Sequence, residues 1–216
     1  MPDILGFDVS QHNSGVKPVD WDKIPKDRAR FVFIKATEGA TFEDPFFDRH
    51  WTSAHAHGFV CGAYHFYRSN RTGKEQAANI AKNILHDGSF GKGDLPVAID
   101  VEEFKNVDSK SAASIAAFLK ELKVCFDTVA KAMGAKPILY TAQFAWDLLR
   151  NPADYLDCPL WIANPSKAAA PVLPKPFKTH VIWQFSFDGK MPGVTGDLDL
   201  DRFSGTEADF QKLLLK

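Results

Sequence analysis

Leu95-Pro96-Val97-Ala98-Ile99-Asp100-Val101-Glu102-Glu103 is an apolar run that ends in acids. Side chains alternate faces along a strand, so Ala98, Asp100 and Glu102 share one face while Val97, Ile99 and Val101 share the other. The two carboxylates are then about 6.6–7 Å apart along the strand. On an inward face they enter a confined, partly dry space, where mutual repulsion keeps one of them protonated near neutrality. On an outward face they are a solvated acidic strand end. An isolated Asp-x-Glu does not choose between the two.

The neighbouring segments narrow the choice. Ile4–Val9, Phe31–Ala36, Phe59–Phe66, Val97–Val101, Pro137–Tyr140, Leu160–Ala163 and Val181–Phe185 are predicted as short buried strands. Between them, Ala77, Ile80, Ala81, Ile84 and Leu85 recur at helical spacing. Ile115, Phe118, Leu119, Leu122, Phe126, Val129 and Met133 do the same, with Gly134 as a stop. Alternating strands and helices predict an α/β fold with a mostly parallel sheet. Almost every strand ends in a residue able to do chemistry: Asp8, Glu38, His65 and Tyr67, Asp100 and Glu102, Tyr140, Asn164, Gln184 and Asp199. A barrel gathers all such ends at one mouth. A doubly wound sheet uses only the few beside its switch point. The chain is therefore read as a TIM-like β/α barrel, irregular because its last third leaves little room for helices.

Three further groups bear on chemistry. Asp8 ends Gly6-Phe7-Asp8-Val9-Ser10, with Gly6 two residues before it on the same face. A small residue below an inward acid leaves room for a ligand, although Asp8 also suits an N-cap. Asp197, Asp199 and Asp201 alternate with Leu198 and Leu200. Their spacing excludes an EF-hand loop, a solvated edge is the plain alternative, and Asp199 is the member best placed to reach the mouth. Tyr64, Phe66, Tyr67, Tyr140, Trp161, Trp183 and Phe185 lie in or beside strands. Such rings either stack on sugars or supply buried area. Trp21, Trp51 and Trp146 read as packing residues. His50, His55 and His57 read as a solvated helix face, not a metal site, while His65 is either a cleft residue or a satisfied core histidine.

Composition sets outer limits. The 216 residues carry a net charge of -1, which gives no electrostatic footprint for nucleic acid. Cys61, Cys125 and Cys158 make neither a disulfide framework nor a Cys-x-x-Cys knuckle. No run approaches the ~20 apolar residues of a membrane span, and Met1-Pro2-Asp3-Ile4-Leu5-Gly6 lacks the basic and apolar regions of a signal peptide. Gly88–Asp94 and the proline-containing Lys167–Lys178 are the strongest loop signals. One domain spanning 1–216 is expected.

Taken in order, these pieces resemble the glycoside hydrolase family 25 lysozymes. The landmarks are Gly6-Phe7-Asp8-Val9-Ser10, Val19-Asp20-Trp21, Phe31 to Gly39, Asp44-Pro45-Phe46-Phe47, Gly62 to Tyr67, Leu95 to Glu102, Ile138 to Thr141, Leu160 to Ala163, Ile182 to Phe185 and Asp199 to Phe203. Asn164-Pro165-Ser166 and Phe185 depart from positions where relatives often carry tyrosine. The resemblance implies a flattened barrel of eight strands with fewer than eight helices. It implies hydrolysis of the β-1,4 bond from N-acetylmuramic acid to N-acetylglucosamine, without metal or cofactor. The family's essential acids map onto Asp8, Asp100, Glu102 and Asp199, with Glu102 as general acid. Retention is expected, with the substrate acetamide as nucleophile oriented by Asp100. Glu38, Tyr64, His65, Tyr67, Tyr140, Trp161, Trp183 and Gln184 are the expected substrate contacts. The implied partner is the glycan strand of peptidoglycan, met outside the cytoplasm by a monomer that neither binds nucleic acid nor inserts in membranes. No wall-binding repeats are seen. The rival reading is a non-catalytic sugar-binding barrel, which usually lacks the proton donor.

Overall fold

The computed structural model describes residues 3–14, 17–85 and 88–216. Among them run β1 (Ile4–Val9), β2 (Phe31–Glu38), β3 (Phe42–Glu43), β4 (Val60–Phe66), β5 (Ala98–Asp100), β6 (Ile138–Ala142), β7 (Leu160–Ala163), β8 (Ile182–Gly189) and β9 (Leu198–Phe203). The helices are α1 (Phe47–Ala56), α2 (Gly73–Asn83), α3 (Ala112–Met133), α4 (Gln143–Leu148) and α5 (Glu207–Leu213).

Every strand but β3 joins a closed barrel, in the order β1-β2-β4-β5-β6-β7-β8-β9 and back to β1. Neighbours from β1 to β8 are parallel; β9 is antiparallel to both β8 and β1, and its Asp199 lies opposite Asp8. The expected α/β barrel, irregular and short of eight helices, is what the chain builds. The solvated-edge reading of Asp197, Asp199 and Asp201 fails for the last two. They belong to a strand paired on both sides, whose Leu198 is buried against the outer core.

The helices follow from local rules. Thr72 and Glu75 form a reciprocal capping box at the start of α2. Ser111 caps α3, which ends at left-handed Gly134. Ile115, Phe118, Leu122, Cys125, Phe126 and Val129 make one buried stripe of α3. A Cβ at Gly73 would collide with the Glu121 carbonyl, so this glycine permits the close α2–α3 approach. Lys167–Lys178 contains neither helix nor strand, as the prolines predict.

Strand alternation divides the apolar residues into two cores. Phe7, Val9, Val32, Ile34, Ile99, Leu139, Ile162 and Trp183 face outward to the surrounding helices and loops. Ile4, Phe31, Phe33, Ile138, Trp161, Ile182 and Phe203 face inward, and Phe210 of α5 packs on Phe31 and Phe203. Gly6 does not leave room for a ligand. A Cβ there would strike the Phe31 ring, and one at Gly62 would strike Phe33. Both glycines exist so that phenylalanines can fill the barrel. Trp21, Trp51 and Trp146 are buried packing residues, as read. His50 is not on a solvated face. It is buried, and its Nε2 lies 3.0 Å from Ser14 Oγ, because α1 packs against the segment that follows β1.

Candidate active site

Above the aromatic filling, the C-terminal ends of the parallel strands open into a cavity of about 300 Å³. Its lining includes Asp8, Lys35, Tyr64, Phe66, Asp100, Glu102, Tyr140, Trp161, Gln184, Asp197 and Asp199. Parity explains the membership. Asp8 is inward like Ile4 and Gly6, Asp100 is inward like Ala98, and Tyr140 is inward like Ile138. Glu102 lies just past β5, but the chain stays extended there. Val101 N donates to the Tyr140 carbonyl at 2.9 Å, and Thr141 Oγ1 donates to the Val101 carbonyl at 2.9 Å.

A relay of hydrogen bonds fixes the floor. Tyr140 Oη donates to Gln184 Oε1 at 2.7 Å, and Gln184 Nε2 donates to Asp8 Oδ2 at 2.7 Å. The first contact orients the amide so that its NH₂ can only face Asp8. Trp161 Nε1 donates to Asp201 Oδ1 at 2.8 Å, and the Trp161 ring stacks on Phe33 at 4.3 Å between centroids. Among the described residues, one Asp100 oxygen and the second Asp201 oxygen are buried with no hydrogen-bond partner.

So many acids in one dry space resist ionisation. Burial raises the Asp8 carboxyl well above the usual range, reinforced by the charges of Asp201 and Asp199. Burial raises Asp100, and Glu102 adds to it; burial also raises Glu102, against the pull of Lys35. Asp199 is pushed up to about 6 by burial and by Glu102. Asp201, beneath the others, is raised by burial and by Asp199 although Trp161 opposes it. Asp100 and Glu102 are close enough that the charge of one opposes ionisation of the other. Lys35 is the one cation lining this cavity among the described residues; its Nζ lies 2.7 Å from Glu38 Oε2.

Of the expected residues, Asp8, Asp100, Glu102, Asp199, Tyr64, Tyr140, Trp161 and Gln184 come together around this cavity. Glu38 stands just outside, held by Lys35 and Arg68. Three residues point elsewhere. His65 is fully buried on the outer side of β4, with ring nitrogens 2.8 Å from Thr37 Oγ1 and 3.2 Å from Gln76 Oε1. Tyr67 packs edge-on against Phe118 of α3. Trp183 lies in the outer core and donates to the Asn164 carbonyl at 2.8 Å. Each neighbours an inward residue, so alternation turns it outward.

Four lining residues, Ser10, His12, Asn13 and Lys35, lie outside the sequence expectations. Ser10, His12 and Asn13 come from a one-turn helix after β1, closed by reciprocal Ser10–Asn13 bonds and tied down by Asp44, which accepts from Gln11 N at 2.9 Å. Nothing in the sequence announces that turn. Lys35 did leave a signal, because it continues the alternation of Phe31 and Phe33.

A mouth of buried acids and aromatics on this barrel has close counterparts. The family model described as Glycosyl hydrolases family 25 matches residues 7–194. The chain belongs to this family. It is a glycoside hydrolase of the lysozyme and muramidase kind. The N,O-diacetylmuramidase of Chalaropsis sp is 29% identical over 209 residues, covering 91% of this chain and 96% of that one. The protein YegX of Escherichia coli K12, described as uncharacterized, is 30% identical over 217 residues, 96% of this chain and 72% of its own length. The structure of a Streptomyces coelicolor lysozyme superimposes with a TM-score of 0.87 at 27% identity, covering 98% of this chain and 97% of that one. A family GH25 lysozyme from Aspergillus fumigatus gives 0.83 at 31% identity and 99% coverage of both chains. The family 25 match ends at residue 194, before β9; Asp199 reaches the site because strand register sets it opposite Asp8. No helix among the described residues is long and apolar enough to cross a membrane.

Proposed function

We propose that this family 25 enzyme hydrolyses the β-1,4 bond between N-acetylmuramic acid and N-acetylglucosamine in peptidoglycan, with Glu102 as general acid. The observation that carries the reading is the pairing of Asp100 and Glu102, two inward carboxyls on one strand path, both raised in pKa and both lining the same cavity. A protonated carboxyl beside an ionisable one is what glycoside cleavage needs.

Glu102 gives its proton to the glycosidic oxygen as the bond from that oxygen to the anomeric carbon breaks. The two acids stand side by side, so Asp100 is poorly placed for attack from the opposite face. It is well placed to hold the N–H of the substrate's 2-acetamido group while the acetamide oxygen bonds to the anomeric carbon. Water then displaces that oxygen and loses a proton to the Glu102 carboxylate, and the acetamide is restored. Two displacements give net retention, a substrate-assisted variant of the two-carboxylate scheme. Asp8 and Asp199 flank the bond being cut, and Tyr64, Tyr140, Trp161 and Gln184 hold the sugars. Residues 1–216 act as one catalytic domain and as a monomer, outside the cytoplasm, without a cofactor.

Mass spectrometry of fragments released from defined peptidoglycan tests the bond. Muramic acid at the new reducing end supports the reading, and glucosamine there overturns it. A fluorosugar trap with peptide mapping tests the nucleophile, since an adduct on Asp8 or Asp199 would replace substrate assistance. A folded protein that binds glycan and releases no fragments would instead be a sugar-binding barrel.

A further inference from the structure

Beside the acidic cleft lies a second cavity of about 350 Å³. It is bounded by the turn after β2, the segment between β4 and α2, and the loop after β5. The wall between the two is one chain of ionic contacts. Lys35 lines the cleft, and its Nζ is 2.7 Å from Glu38 Oε2; Glu38 Oε1 in turn accepts from Arg68 Nε at 2.8 Å. Glu38 and Arg68 both line the second cavity.

The balance of acidic and basic side chains changes across that wall. The cleft holds Asp8, Asp100, Glu102, Asp197 and Asp199 against Lys35. The neighbour holds Arg68, Arg71 and Lys105 against Glu38 and Glu103. Both of its carboxylates are already engaged. Glu38 is held by Lys35 and Arg68, while Glu103 accepts from Ser69 N, Ser69 Oγ and Lys105 N. Burial opposes these contacts, but their sum leaves both carboxyls lowered and ionised. Arg71 and Lys105 have no ion-pair partner among the described residues; Arg71 only biases the Glu75 carboxyl downward.

The cavity is also rigidly built. Asn79 of α2 is buried and donates to the carbonyls of Gly39 at 3.0 Å and Phe42 at 3.2 Å, fixing one wall. Gln76 is fully buried; it accepts from Arg68 N at 2.8 Å and donates to the Arg68 and Arg71 carbonyls, fixing another. His65, turned away from the cleft, holds Gln76 from behind.

A muramic acid residue is branched. The lactyl ether on its sugar ring continues into a short peptide bearing free carboxylates. A glycan lying in the acidic cleft must keep that acidic branch out of a dry pocket already crowded with carboxyls. We infer that the second cavity receives this peptide, with Arg71 and Lys105 pairing its carboxylates and exposed Phe42 contacting its alanyl methyl. The inference rests on the muramidase reading and adds a specificity site to it.

The test uses Glu102→Gln protein, so that bound sugar is not cut, and two probes: a muramic-acid disaccharide carrying an alanyl-isoglutamyl tetrapeptide, and the same disaccharide without peptide. Calorimetry should show the peptide-bearing probe bound about tenfold more tightly, the scale of one to two partly exposed charge pairs. Adding Arg71→Glu and Lys105→Glu should abolish the gap, Arg71→Gln and Lys105→Gln should halve it on a logarithmic scale, and 0.5 M salt should shrink it. Equal binding of the two probes, or a gap that survives charge reversal, overturns the proposal. On otherwise native protein, the double reversal should leave turnover of peptide-free glycan unchanged; an equal loss on both substrates also overturns it. If Glu102→Gln proves fully active, the acid assignment fails, while binding measured on the product disaccharides still decides the peptide site.

Discussion

Two halves of one barrel interior, a few residues apart on the same strands, have opposite characters. Along β9 the inward residues run Asp199, Asp201, Phe203, and along β2 they run Phe31, Phe33, Lys35. The lower half is filled by rings packed on rings: Phe33 stacked on Trp161, and Phe210 tilted against Phe31 and edge-on to Phe203. The upper half packs carboxyls together and leaves oxygens of Asp100 and Asp201 without partners among the described residues. Burying apolar area stabilises the fold, and burying acids costs stability. The contrast teaches that the strained end is sustained by the filled end beneath it.

The largest effect should separate the halves by rate. Glu102→Gln keeps shape and volume but cannot donate a proton. Wall lysis should fall roughly 10²–10⁴-fold, the usual worth of general acid catalysis, with no loss of melting temperature. Near-normal lysis by the folded variant would remove Glu102 from that role. In the lower half the pattern should reverse. Phe33→Ala opens a cavity under Trp161 and should cost about 3–5 kcal/mol of stability in urea unfolding. A loss below about 1 kcal/mol would mean that the rings are not the support described.

His65 sharpens the distinction between inside and outside. His65→Ala strands Gln76 and Thr37 and should cost about 1–3 kcal/mol while leaving KM for peptide-free glycan unchanged. A raised KM with unchanged stability would return His65 to the cleft. Burial lowers its ring to about 4. The folded state thus holds it neutral, and its contribution is present above about pH 6.5 and lost as pH falls toward 4.

The smallest effect runs the other way with pH. Asp199, raised to about 6, keeps its proton in the fold after the unfolded chain has released it. Its contribution is complete below about pH 4 and is lost as pH rises through 6. Asp199→Asn should therefore add about 1–2 kcal/mol of stability at pH 7.5, allowing for partial exposure, and nothing at pH 3.5. A gain independent of pH would show that packing, not ionisation, sets the effect.

The barrel was legible because each strand carries its own apolar run and polar end. The acids were legible through period-two alternation from Ala98 to Glu102. The same rule, applied strictly, separates Tyr64 from His65 and Trp183 from Gln184. Both members of such a pair cannot face the cleft, so the outward turn of His65 and Trp183 was written in their neighbours. Lys35 was equally readable, two steps beyond Phe33. The turn bearing Ser10, His12 and Asn13 was not, since Asp44 and His50, which hold it, arrive from distant parts of the chain. The second cavity was hidden for the same reason: three loops make it, and no periodicity relates them.

The pairing of β1 with β9 sets a timetable for the enzyme's birth. Asp8 leaves the ribosome with the first strand of the barrel and Asp199 with the last, yet each sits opposite the other across the seam. Until the final strand emerges, β1 lacks the partner that closes the barrel beside Asp8. Closing so long a loop is entropically slow, and folds dominated by such distant pairings form late. The ring of acids at the mouth is therefore complete only once the seam between β1 and β9 has closed.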